Sequence, residues 1–129
     1  MRLHHVALKV LELDAAERFY RALLGAEVKA RFDDAAGRPR SVWLALEGSF
    51  FAIERAEAPL APKADDGAGW HTVAFSIEPH ERALVRERAQ RLGAPIVRET
   101  PFSLFVRDPE GNVVALSHHP VAAPLEGPG

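Results

Sequence analysis

The chain has 129 residues, a net charge of −2 and 47% hydrophobic residues. That suits one globular domain and gives no support for a nucleic-acid or anionic-membrane partner. It has no cysteine, which excludes disulfides, thiolate ligands and a cysteine nucleophile and fits a cytoplasmic setting. No apolar run approaches the roughly 18 residues of a membrane helix, and the N-terminus turns polar too early for a signal peptide.

The segment LHHVALKV, residues 3–10, alternates and reads as a strand. Val6, Leu8 and Val10 form its apolar face, and His5, Ala7 and Lys9 the other. LDAAERFYRALLGA follows as an amphipathic helix, with Asp14 as the expected N-cap and Gly25 at the C-cap. EVKARF is a strand and DDAAGRP a turn. SVWLALEGSFFAIERA is two strands joined at Glu47, Gly48 and Ser49. The first module, residues 1–57, therefore reads β-α-β-β-β. Residues 58–68, rich in Pro, Ala, Gly and Asp, read as a linker.

In residues 69–119 the order returns. WHTVAFSI is a strand. PHERALVRERAQRLG is a helix with Leu84, Val85, Ala89 and Leu92 toward the core and a solvated, ion-paired outer face. PIVRE is a short strand, and SLFVRDPEGNVVALSH a hairpin turning at Asp108–Asn112. Residues 120–129 form a proline-rich tail expected to fray. One such module cannot bury its sheet face alone, so two are expected to pair.

HHVALKVLELDAAERFYRALLGAEV, the later VAFSI and, above all, FVRDPEGNVVAL resemble the vicinal oxygen chelate superfamily. That group includes glyoxalase I, extradiol dioxygenases, fosfomycin-modifying enzymes and bleomycin resistance proteins. The resemblance runs from about residue 3 to 118. It implies an α+β fold in which paired βαβββ modules form a curled eight-stranded mixed sheet around a cup. It also implies a homodimer and, in many members, one divalent metal held by side chains on the first and last strands of each module.

The residues at those places support a metal poorly. His5, directly before VAL, is a good imidazole ligand for Zn, Ni, Fe or Mn. On the fifth strand its equivalent is Thr72, a poor ligand; His71 falls on the opposite parity and reaches the cup only through a bulge. On the last strand the carboxylate place after DPEGN and two apolar residues is Ala115. His119 lies four residues on, about 13 Å along a strand. On the fourth strand, Ala52 or Glu54 occupies the corresponding place.

A catalytic divalent ion generally needs three protein ligands, so the expected site has no metal and no cofactor. The expected function is binding of a small organic molecule by His5, Lys9, Ala52, Glu54, Thr72, Ser76 and Ala115. Lys9 holds an anionic group there, and the alanines leave room. His5 and Glu54 are the candidate acid–base pair if they come within hydrogen-bond reach. The alternative is a metal-dependent lyase, transferase or dioxygenase of the glyoxalase type, using His5, Glu54 and His71. Trp43 and Trp70 are expected to pack rather than bind.

Overall fold

The computed structural model describes residues 1–59 and 67–120. The chain divides into two compact units, Met1–Gly67 and Ala68–Gly129. Most of the expected linker and all but the first residue of the expected tail lie outside the described residues.

In the first unit, β1 is His5–Val10, α1 Leu13–Leu24, β2 Val28–Asp33, β3 Pro39–Leu46 and β4 Ser49–Arg55. The sheet order is β1-β4-β3-β2, with β1 parallel to β4 and the other pairs antiparallel. A parallel pair needs a long crossover, and α1 with the β2–β3 excursion provides it. The helix seals one face of the sheet. Ala16, Phe19, Tyr20 and Leu23 are buried, as are Val42, Leu44, Phe51 and Ile53, and the Tyr20 ring meets Phe51 edge-on at 4.9 Å.

Asp14 is not the cap. The N-cap is Glu12, which makes no side-chain cap bond, and Asp14 lies in the first turn, paired with Arg18 one turn on. There its charge still favours the helix start. Gly25 closes the helix at φ 63°, a conformation that costs a side chain about 1 kcal/mol or more.

In the second unit, β5 is Val73–Ser76, α2 Arg82–Arg91 after one 3-10 turn at Pro79–Glu81, β6 Ile96–Glu99, β7 Ser103–Arg107 and β8 Val113–Ser117. The order β5-β8-β7-β6 repeats the first sheet, again with the first and last strands parallel. Among the described residues the protein is thus α+β, with two four-stranded mixed sheets. Strand β5 is shorter than expected, and Trp70, His71 and Thr72 precede it.

Two packing expectations change. Val85 and Ala89 of α2 are buried, but Leu84 is exposed, because a helix one residue off the inward stripe turns a side chain by about 100°. Trp70 is 91% exposed and is not a core residue. No helix among the described residues is long and apolar enough to cross a membrane.

Candidate functional site

Strand register decides which side chains share a face, because neighbouring strands keep the same alternation. In the first sheet, His5 is opposite Phe50, Ala7 opposite Ala52, and Lys9 opposite Glu54. Strand β3 continues these rows, with Ala45 opposite Phe50, Trp43 opposite Ala52 and Ser41 opposite Glu54. All these residues lie on the face away from α1. The parity of the fourth strand is therefore fixed: Ala52 and Glu54 both share the face of His5.

Sequence reasoning missed how aromatic that face is. His5 stacks on Phe50 with ring centroids 4.6 Å apart and planes within 6°. Phe50 stacks on Trp43 at 4.3 Å, and Trp43 meets Phe32 of β2 at 4.8 Å. The spacing matches the separation of neighbouring strands, so one ring from each of four strands joins a diagonal stack. Trp43 does pack, but on this face rather than under the helix. The Nδ1 atoms of His4 and His5 are 2.8 Å apart, so one donates to the other. His5 Nε2 has no protein partner among the described residues.

The third row is polar. Lys9 and Glu54 are neighbours in register, yet no ion pair joins them. Ser41 is 6% exposed and its hydroxyl has no hydrogen-bond partner. Glu54 lies four residues beyond Phe50, the partner of His5, or roughly 13 Å along the strand. That is too far for a direct hydrogen bond. The first sheet does not bring His5 and Glu54 together as an acid–base pair.

The second sheet repeats the pattern. Ala74 is opposite Ala115, which is opposite Phe105, which is opposite Arg98. The small–small–aromatic row Ala7–Ala52–Trp43 thus has a counterpart in Ala74–Ala115–Phe105. Pairing with Ala115 and Val113 puts Phe105 and Arg107 on this same face. Ala52 and Ala115 are each 2% exposed, so the space above these methyls is not vacant, contrary to the expectation that they leave room.

The remaining expected residues are placed as follows. The Thr72 hydroxyl donates to the Val113 carbonyl at 2.9 Å, bridging β5 and β8 just before their ladder begins. Ser76 is exposed and pairs in register with Ser117. The β5–β8 register runs from Val73 to Ser76 without a shift, and His71 is exposed ahead of it. The His119 backbone N–H donates to Ser117 Oγ, and the His119 ring packs on Phe102.

A buried carboxylate with two arginine partners lies on the helix side. Glu17 of α1 is buried and accepts from Arg31 at both carboxylate oxygens, at 2.5 and 2.7 Å, and from Arg21 at 3.3 Å. The Arg31 hydrogen bonds hold its carboxyl below the usual glutamate range against the opposing effect of burial. In the β2–β3 turn, Arg55 and the backbone N–H groups of Arg38 and Ala36 do the same for Asp34.

A sequence profile described as the Glyoxalase/Bleomycin resistance protein/Dioxygenase superfamily matches residues 2–116. The chain belongs to that superfamily. Among solved structures, this glyoxalase-superfamily protein is similar to lactoylglutathione lyase from Agrobacterium tumefaciens. The two are 22% identical, with 91% of this chain and 92% of that one covered, at a TM-score of 0.68. It is also similar to the fosfomycin resistance protein FosX from Listeria monocytogenes, solved as an E126Q mutant with Mn(II) and 1S,2S-dihydroxypropylphosphonic acid. There the identity is 19%, coverage 93% of each chain and TM-score 0.73. FosX from Mesorhizobium loti matches at 17% identity, 93% of each chain and TM-score 0.73. At these identities the likeness is one of fold. No curated protein matches the chain.

The Listeria FosX structure holds Mn(II), a divalent cation. A divalent cation needs about three protein ligands with nitrogen or carboxylate donors. In the first sheet His5 faces a phenyl ring, with methyls in the next row. In the second, the corresponding rows hold Thr72, whose hydrogen is committed to a carbonyl, and Ala74 with Ala115. No three His, Asp or Glu side chains converge among the described residues. Within each module the residues do not fit a divalent cation.

Proposed function

We propose that this glyoxalase-superfamily protein binds a small organic molecule without a metal ion, on the helix-free faces of its sheets, in the manner of a sequestering protein. The observation that carries this reading is the pair of central rows, Ala7–Ala52–Trp43 and Ala74–Ala115–Phe105, where methyls and rings stand in place of metal donors. The aromatic stack offers apolar contact area, His5 Nε2 a hydrogen bond and Lys9 a cation for an anionic group. The functional unit in this reading is a homodimer in the cytoplasm, a reading supported by the superfamily resemblance and by the lack of cysteine.

The test is elemental analysis of protein purified without a metal-affinity tag and then desalted. Less than about 0.2 equivalents of any first-row divalent metal is expected, because an incomplete donor set cannot compete with cellular chelators. Near one equivalent, released by His5→Ala, refutes the reading in favour of a metal-dependent lyase, transferase or dioxygenase. A thermal-shift screen of small organic acids and aromatic compounds then finds the ligand class, with His5→Ala and Lys9→Ala expected to abolish the stabilisation. Sedimentation at high micromolar concentration is expected to give the mass of two chains.

A further inference from the structure

Two pairs of adjacent histidines occur in the chain, His4–His5 and His118–His119. The fold uses them differently. His118 Nε2 accepts a hydrogen bond from the Arg82 guanidinium at 3.3 Å, and His119 Nδ1 donates to the Pro120 carbonyl at 3.2 Å. These two rings each find a separate partner. His4 and His5 instead turn the same atom, Nδ1, toward each other at 2.8 Å. Their ring planes are 76° apart, with centroids at 5.1 Å. The Phe50 ring backs both, stacked on His5 at 4.6 Å and edge-on to His4 at 5.5 Å. His4 precedes β1, so strand alternation does not force the two rings to opposite faces.

Two nitrogens are too few for a divalent ion. They are a full set for Cu(I), a closed-shell monovalent ion that two neutral imidazoles in line can satisfy, and imidazole suits copper. A metal–imidazole bond is about 2 Å long, so the two Nδ1 atoms stand about 4 Å apart around a linear ion. Both side chains are exposed, and a turn of the His4 ring supplies that movement without disturbing the strand. The hydrogen held between the two Nδ1 atoms passes to an Nε2 through water, so no proton is released. There is no acid in the first eleven residues, and the register partners of His5 and Val6 are Phe50 and Phe51. Nothing there completes the shell of a harder ion. The chain has no cysteine, so no thiolate of its own competes for a soft one.

We propose that His4 and His5 form a two-coordinate site for Cu(I) through their Nδ1 atoms. The proposal goes beyond the small-molecule reading, in which His5 meets its ligand through Nε2 and no ion takes part. It differs from the divalent site tested above in its ion, its coordination number and its use of His4. An ion on Nδ1 leaves the hydrogen on Nε2, so the occupied pair presents His5 as a fixed hydrogen-bond donor.

The experiment is an anaerobic titration of the full chain with Cu(I) held in its ferrozine complex, with ascorbate as reductant. One equivalent is expected to pass from the complex to the protein. His4→Ala and His5→Ala are each expected to weaken uptake about a hundredfold, because the second nitrogen of a chelate acts at high effective concentration. His4→Ala replaces an exposed side chain ahead of β1, so its amide spectrum should otherwise match that of the native chain. The double variant His118→Ala/His119→Ala is expected to take up one equivalent as the native chain does. Ag(I), titrated against the imidazole NMR signals, should give saturable shifts at Nδ1 of His4 and His5. No uptake, unchanged uptake in His4→Ala, or a loss confined to His118→Ala/His119→Ala overturns the proposal. Equal affinity of the pair for Zn(II) also overturns it, since a two-nitrogen site does not hold that ion. Failure of Cu(I) uptake leaves the small-molecule reading standing. One equivalent of divalent metal in the purified chain, with Cu(I) uptake by the pair intact after its removal, refutes that reading and leaves this inference standing.

Discussion

Glu17→Gln tests how α1 is fastened to the sheet. In the native chain both carboxylate oxygens accept from Arg31 of β2, and Arg21 adds a longer contact. The Glu17 side chain is 10% exposed, but Arg31 and Arg21 are 57% and 42% exposed. Charge-assisted hydrogen bonds are worth about 1.5–3 kcal/mol where buried. Water at the two guanidiniums reduces that, because the arginines are readily resolvated once the carboxylate is gone. The net expectation for Glu17→Gln is a loss of about 1–2 kcal/mol in urea denaturation at pH 7. The sign of the pH dependence is fixed. The folded-state pKa of Glu17 is lowered, chiefly by Arg31, so its contribution is fully present above the unfolded value, about 4.3, and is lost as pH falls through the lower folded value. The gap between native chain and variant should therefore be full at pH 7 and close in the acid range. A double-mutant cycle with Arg31→Gln should return a coupling of about 1 kcal/mol. An equal gap at pH 7 and in strong acid, or no coupling to Arg31, would show that the network does not hold the helix.

Two further substitutions probe the strands around the site. Asp108 is buried and accepts from the Glu110 and Asn112 N–H groups and from Asn112 Nδ2, each at 2.9 Å, so Asp108→Ala should cost about 2 kcal/mol by denaturation. An effect below about 0.5 kcal/mol would mean that water replaces the carboxylate freely. Ser41→Ala removes a buried hydroxyl without a partner and should raise stability by about 1 kcal/mol, whereas a loss of that size would mean that the hydroxyl finds an acceptor in solution.

The sequence determined the repeat of β-α-β-β-β and placed each element to within about three residues, because periodicity, turn residues and the two helix-ending glycines are local signals. It also placed His5, Ala7 and Lys9 on one face, since alternation within a strand needs no partner. It overextended β5, where Trp70, His71 and Thr72 alternate like a strand but lie outside the ladder, and it turned Leu84 inward on a helix whose apolar stripe is only two residues wide. What the tertiary structure alone decided is which rows those faces form. Register is a property of two strands far apart in sequence, so neither His5 against Phe50 nor Ser76 against Ser117 and Ser103 is written in any one segment. The alanines at 52 and 115 show the same division. The sequence shows a methyl at each of these positions, and only the cross-strand pairing put Trp43 and Phe105 beside them, turning expected vacancies into packed rows.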